Sequence, residues 1–225
     1  MRVGERPSAV GQAATAALEP AMLWLSSIDQ TAPALPAAWL IATQARPANL
    51  VERSELRRSL GRELLARQFS LGEDAVEIGH EPAGRPLIVR PRGSGLHLSL
   101  ATRAGLVAIA LAHRPAGIDV ERVALASEPP LAALHLAERR WLEDLPAPAR
   151  PLAFAQLWSA KEAYVKALGT GFIRAPESFA VHLDGSERFV VSDEQDGCTA
   201  RGFVRLTKNG GHETMAAAFI VLDRA

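Results

Sequence analysis

The period of the apolar positions changes several times along the 225 residues, and each change marks an element. Residues 22–26 read as a short first strand. Over residues 46–67, Leu56, Leu60, Leu64 and Leu65 recur at helical spacing among six Arg and three Glu, which predicts a basic amphipathic helix weakened by Gly61. After a Gly84-Arg85-Pro86 turn, two apolar alternations at 96–100 and 105–112 predict an antiparallel hairpin. Pro115 and Gly117 break the chain before a strand-like Ile118-Asp119-Val120-Glu121. Pro129, Pro130, Pro146 and Pro148 then bracket a short helix over 131–145. The best helix covers 151–168, with Phe154, Leu157, Trp158, Val165 and Leu168 on an apolar stripe and Gly169 as C-cap. Residues 179–222 alternate as strands between Gly-containing turns. Segments 105–112 and 215–222 echo each other, each with a His upstream (His97, His212). Two similar halves packed face to face would give that echo, and so would two core strands of like composition.

Composition narrows the classes. With 48% hydrophobic and 22% charged residues the chain is globular, which excludes disorder and a collagen-like repeat. Twenty-five basic residues balance 25 acidic ones, so the molecule has no overall attraction for a polyanion and no nucleic-acid partner is expected. Any anion site must be local. Cys198 is the single cysteine and cannot form an internal bridge, and no apolar run reaches the length of a membrane span. A cytoplasmic protein without membrane association is expected. Near the start, Met1 and Arg2 precede small apolar residues, but Glu19 and Pro20 interrupt them, so residues 1–22 are expected to form a loosely ordered extension rather than a signal peptide. Between Glu81 and Asp119 there is no acidic residue, while Arg85, Arg90, Arg92, Arg103 and Arg114 fall in that interval, which is where phosphate would bind.

Asp119 and Glu121, two apart on a strand, project from one face and repel each other unless a cation sits between them. Magnesium suits such a pair, because it takes hard oxygen ligands and leaves positions for phosphate and water; an isolated Asp-x-Glu can also be a solvent-facing strand end. Glu162 and Lys166 stand four apart on a helix and could form a plain surface ion pair. The chain has only three Lys, however (Lys161, Lys166 and Lys208), and two lie in this helix. A compact ammonium there suits a phosphate oxygen. No two of the six His are spaced as a local zinc motif, and His97 reads as a packed or exposed strand residue.

Gly117-Ile118-Asp119-Val120-Glu121, followed about forty residues later by Trp158-Ser159-Ala160-Lys161-Glu162-Ala163-Tyr164-Val165-Lys166 and then Gly169-Thr170-Gly171-Phe172, resembles the paired signature of the 4'-phosphopantetheinyl transferases of the Sfp (surfactin synthetase activating) type. Gly84-Arg85-Pro86 stands where that family has Gly-Lys-Pro, and residues 53–67 resemble its basic helix, so the likeness runs from about residue 50 onward. It implies an α+β fold, a pseudo-twofold pair of similar α/β subdomains, each a small antiparallel sheet packed with helices. The boundaries are set at 23–115 for the N-terminal subdomain and 116–225 for the C-terminal one, which carries the metal ligands.

The resemblance also implies a reaction. The phosphopantetheine arm of coenzyme A would move to a serine of an apo acyl or peptidyl carrier protein of fatty acid, polyketide or nonribosomal peptide biosynthesis, with release of adenosine 3',5'-bisphosphate, by a monomer that uses Mg2+. Asp119, Glu121 and Glu162 would be the metal ligands. Lys166 and Arg85 would contact the diphosphate, and Arg53 and Arg58 the 3'-phosphate or adenine side. Glu138 would fall near a Glu used as base, its plain alternative being an exposed helical residue beside Arg139 and Arg140. One departure stands out: where the family has a Ser-His pair that touches the diphosphate, this chain has Ala101 and Thr102, with Arg103 next to them. Thr102 keeps one hydroxyl and Arg103 brings a charge. Two other functions compete, a non-catalytic binder of carrier protein or coenzyme A and a magnesium-dependent phosphohydrolase.

Overall fold

The structure, a computed structural model, describes residues 22–125, 130–170, 173–185, 187–210 and 213–223. The expected N-terminal extension up to residue 21, Pro129, the Gly171-Phe172 end of the second motif and His212 lie outside the described residues.

The chain forms a mixed α/β fold of several small sheets and three helices. The first sheet contains β1 (Leu23–Leu25), β2 (Ala37–Ala42), β5 (His97–Arg103) and β6 (Leu106–Ala112) in the order β1-β2-β6-β5. Helix α1 (Leu50–Phe69) and the two-stranded β3 (Glu77–His80) and β4 (Pro86–Arg90) sheet come between β2 and β5. The second large sheet is β7 (Ala116–Arg122), β11 (Glu213–Val221), β10 (Cys198–Asn209), β9 (Arg188–Asp193) and β8 (Ala180–Leu183), in that order. Helices α2 (Leu136–Asp144) and α3 (Arg150–Leu168) lie between β7 and β8 in sequence. The hairpin expected at 96–112 is β5–β6, with Leu100 opposite Ile109. The expectation of purely antiparallel sheets is corrected at one edge, where β1 runs parallel to β2.

Strand alternation sorts the core into three layers. Leu64 and Leu65 of α1 pack with Val107, Ile109 and Leu111 of β6. The opposite face of β6, Ala108 and Ala110, meets Ile118 and Val120 of β7 and Met215, Ala217 and Phe219 of β11. Ala218 and Ile220, on the far side of β11, pack with Leu157, Ala160 and Tyr164 of α3. The two echoed segments are thus β6 and β11, which share the middle layer.

Small residues set the spacing. A Cβ on Gly61 would lie 3.2 Å from Ile78 and 3.3 Å from Leu100, so the glycine that weakens α1 as a helix lets it sit close to β3 and β5. The stripe expected on α3 is corrected: Leu157 is buried, but Phe154, Trp158, Val165 and Leu168 are only partly so. The buried face is mostly alanine, Ala153, Ala160, Ala163 and Ala167, because α3 lies against strand backbone, where larger side chains have no room.

Candidate functional site at the junction of β7 and α3

A Cβ on Gly117 would fall 1.8 Å from the carbonyl oxygen of Ala163 and 2.7 Å from the amide nitrogen of Ala167. The first residue of the Gly-x-Asp-x-Glu motif therefore has a packing reason to lack a side chain: it lets β7 press onto α3. Alternation then turns Ile118 and Val120 into the inter-sheet layer and Asp119 and Glu121 toward α3. Ser99 of β5 accepts a hydrogen bond from the Ile118 amide at 3.0 Å, fastening β5 to the same place.

Lys166 does not pair with Glu162 as a plain helical ion pair would. Its Nζ donates to Asp119 Oδ1 at 2.7 Å, to the Ile118 carbonyl at 3.1 Å and to the Leu100 carbonyl at 3.4 Å. Glu121 Oε1 accepts from Arg103 Nε at 3.1 Å and from the Arg122 amide at 2.9 Å. Glu162 has no hydrogen bond or ion pair among the described residues. Burial raises its proton affinity above the usual carboxylate range, and the nearby Asp119 and Glu121 charges push the same way against Lys166. Glu121 is raised as well, by burial first, with Arg103 opposing. Three half-buried carboxylates thus lie within electrostatic reach of one another.

A cleft of about 330 Å³ opens beside them. Ser54, Arg57 and Arg58 of α1 form one wall, and His80, Gly84, Arg85 and Pro86 of the β3–β4 turn a second. Ser99 and Leu100 of β5 and Glu162, Val165, Lys166 and Gly169 of α3 form the floor, and Arg174 and Pro176 close the end. Five side-chain cations and one carboxylate line the cleft; Glu81, Asp119 and Asp193 pair with three of the cations, and Arg57 and Arg58 remain to favour an anionic ligand although the whole chain is neutral. Burial, and next the charge of Arg58, lowers the proton affinity of Arg57, with Asp119 opposing; the guanidinium still stays charged. Arg85 is held by both oxygens of Glu81, at 3.0 and 2.8 Å. Gly169 ends α3 at φ +70°, and a Cβ there would touch the Arg85 guanidinium at 2.8 Å.

Of the residues singled out from sequence, Asp119, Glu121, Glu162 and Lys166 come together at this junction, and Arg58 and Arg85 line the cleft. Arg53 is not among the lining residues; Arg57 takes that place, because α1 is basic on several faces and its apolar spacing does not single one out. Thr102 does not line the cleft either. Its hydroxyl donates to the Leu106 carbonyl at 2.9 Å inside the hairpin, and Arg103 is engaged by Glu121.

The expectation that Glu138 is an exposed helical residue is corrected. It is 2% exposed and accepts from Lys161 Nζ at 2.6 Å, the Val181 amide at 2.6 Å and the His135 amide at 2.8 Å. Both of its oxygens accept hydrogen bonds, so it is not an exposed helical residue. Lys161 also donates to the Phe179 carbonyl at 2.8 Å, and burial lowers its proton affinity. The pair clamps α2, α3 and β8 together behind the site. Arg174 carried no sequence signal, because its partners Asp193 and Gln195 lie about twenty residues away on another element.

The donor set fits a divalent ion in kind: half-buried, hard oxygen donors, with burial first and mutual repulsion after it raising the proton affinities of Glu121 and Glu162. Among the described residues no three His, Cys, Asp or Glu side chains are gathered as a ligand cluster, since Lys166 and Arg103 each hold one carboxylate.

A cationic cleft beside three neighbouring carboxylates, between a strand and a helix that Gly117 lets approach, has the chemistry to receive a phosphorylated ligand. The 4'-phosphopantetheinyl transferase superfamily model matches residues 115–218, which include β7, α2, α3 and the strands that follow. The chain is 26% identical over 147 residues to the 4'-phosphopantetheinyl transferase gsp of Aneurinibacillus migulanus, across 61% of this chain and 59% of that protein. It is 28% identical over 148 residues to the 4'-phosphopantetheinyl transferase Sfp of Bacillus subtilis (strain 168), across 62% of each. To the 4'-phosphopantetheinyl transferase psf-1 of Bacillus pumilus it is 28% identical over 160 residues, across 67% and 65%. The matches span about three fifths of these relatives' length. Residues 115–218 are thus similar to the 4'-phosphopantetheinyl transferase superfamily, and the relatives matched over more of the chain are transferases of the same kind.

Proposed function

We propose that the protein transfers the 4'-phosphopantetheine arm of coenzyme A to a serine of an apo acyl or peptidyl carrier protein. The observation that carries this is the cationic cleft that ends where Lys166 meets Asp119 beside Glu162. Coenzyme A supplies anionic groups at both ends of its nucleotide, and the cleft offers cations from α1, the β3–β4 turn and α3 to receive them.

In the reaction, the carrier serine oxygen bonds to the phosphorus that bears the pantetheine arm. The bond from that phosphorus to the bridging oxygen breaks, adenosine 3',5'-bisphosphate leaves with the electron pair, and the serine proton passes to water. Lys166 and Arg85 stabilise the charge that grows on the diphosphate oxygens, while Arg57 and Arg58 hold the nucleotide side, so the protein contributes orientation and preorganised charge. Asp119, Glu121 and Glu162 would hold Mg2+, whose chemistry is to neutralise phosphate oxygens. Glu138 positions α2 and β8 and takes no proton.

We place the subdomains at 23–115 and 116–225, related by a pseudo-twofold axis. The strand composition of the two large sheets supports this: one uses only strands before residue 115, the other only strands after it. A cytoplasmic monomer, without nucleic acid as partner, agrees with the balanced charge; among the described residues no helix is long and apolar enough to cross a membrane.

A second function, binding carrier protein or coenzyme A without transfer, is favoured by the Thr102 hydroxyl being bonded within the hairpin. Weighing an apo carrier domain by mass spectrometry after incubation with the protein, coenzyme A and Mg2+ separates the two. Transfer adds the phosphopantetheine mass, and Glu162→Gln abolishes the addition. An unchanged carrier mass with the unmodified protein overturns the transfer assignment.

A further inference from the structure

We propose that Arg103 is a built-in competitor of the divalent ion: its guanidinium holds Glu121, and metal affinity is set by releasing it. This rests on the metal site proposed above. The site has three carboxylates and two side-chain cations in contact with them, and the two cations are not equivalent. Lys166 is 28% exposed and donates to two backbone carbonyls besides Asp119, so it is fixed in place. Arg103 is 45% exposed at the end of β5, and among the described residues its guanidinium bonds to Glu121 alone. It can swing into water at small cost, whereas Glu121, 18% exposed, cannot follow.

Arg103 thereby holds the Glu121 carboxylate by a charge-assisted hydrogen bond at 3.1 Å. When a divalent ion approaches, the ion has to replace an existing charge-assisted hydrogen bond instead of meeting a bare carboxylate. Ion and guanidinium would compete for the charge of the same carboxylate, whose Oε1 also accepts the Arg122 amide.

The test is direct binding of Mn2+, followed by electron paramagnetic resonance on protein without coenzyme A or carrier. Arg103→Gln should bind Mn2+ about fivefold more tightly than the unmodified chain, the size of a partly exposed ion pair. Arg114→Gln removes the same unit charge from a pair with Asp223 at the start of β7 and should leave the affinity unchanged. Equal or weaker binding by Arg103→Gln overturns the inference, as does an equal gain in Arg114→Gln. Glu162→Gln separates the two levels. If it weakens Mn2+ binding while Arg103→Gln changes nothing, only the competitor role fails. If the unmodified chain binds no Mn2+, or Glu162→Gln binds it equally well, the metal site fails and the competitor role with it.

Discussion

Lys166 Nζ lies 2.7 Å from Asp119 Oδ1 across the contact of α3 with β7, while the carboxylate of Glu162, one turn earlier on α3, has no hydrogen-bond or ion-pair partner among the described residues. The ammonium thus ties strand to helix and borders the cleft at the same time. Lys166→Ala should lower the rate of carrier modification by about 10² to 10³, the usual cost of removing one preorganised donor. Lys166→Arg should not restore it, because the ammonium is received by three oxygens in a space shaped for a compact head group. Single-turnover rates with saturating coenzyme A measure both.

The buried pair behind the site makes a prediction of the opposite kind. Lys161 and Glu138 are each 1% exposed in their side chains, and truncating one leaves a charge buried without its counter-ion. Glu138→Ala should cost about 3 to 5 kcal/mol of stability, seen as a lower urea midpoint. Replacing both, with Lys161→Met and Glu138→Leu, should recover most of that loss. Glu138→Gln should fold less stably yet modify carrier at a near-normal rate per folded molecule. A large loss of rate with unchanged stability would return Glu138 to the chemistry.

Gly117 gives the sharpest steric prediction. A methyl there would overlap the Ala163 carbonyl at 1.8 Å, and neither β7 nor α3 can yield without separating Asp119 from Lys166. Gly117→Ala should destabilise the fold by about 3 kcal/mol or more and abolish transfer together. The midpoint of thermal unfolding and the carrier assay report the two losses.

How much of this the sequence revealed depends on where the information lies. The strands and helices around the site were legible because their periods are strong and their ends carry Gly84, Gly117 and Gly169. The four residues at the junction were singled out by spacing and by the scarcity of Lys, but spacing alone left a solvent-facing strand end and a surface ion pair open, and the paired motif was needed to join them. The role of Gly117 was not, since it depends on a backbone atom 46 residues away. The burial of Glu138 was equally hidden: beside Arg139 and Arg140 it reads as a surface residue, and only the fold brings Lys161 and the Val181 amide to it. In α1, arginines recur on several faces, so sequence could not choose Arg57 over Arg53.

His97 supplies a pH prediction. Burial lowers its proton affinity below the usual histidine value, the Arg85 charge adds to this, and Glu81 opposes. The unfolded chain therefore takes up this proton at a higher pH than the folded one. Stability is complete above the ordinary histidine value of 6.5 and falls as pH drops through 6.5 toward the folded-state value. His97→Gln should flatten the fall of thermal midpoint between about pH 7 and 5.5. An unchanged slope would mean that His97 keeps its ordinary affinity.

Arg57 separates nucleotide binding from chemistry. It lines the cleft and has no hydrogen bond or ion pair among the described residues, and burial and Arg58 lower its proton affinity against the pull of Asp119. A half-buried guanidinium in that state gains when an anion arrives, whereas Arg53, one turn earlier and outside the lining, gains little. Arg57→Ala should therefore raise the KM for coenzyme A by about tenfold while leaving kcat within a small factor, in the range of one charge-assisted hydrogen bond. Arg53→Ala should change either value less than twofold. Dephospho-coenzyme A, which lacks the 3'-phosphate, locates the contact: if Arg57 receives that phosphate, the truncated substrate loses affinity with the unmodified protein and loses no more with Arg57→Ala. Equal losses in both proteins would place Arg57 on the diphosphate instead.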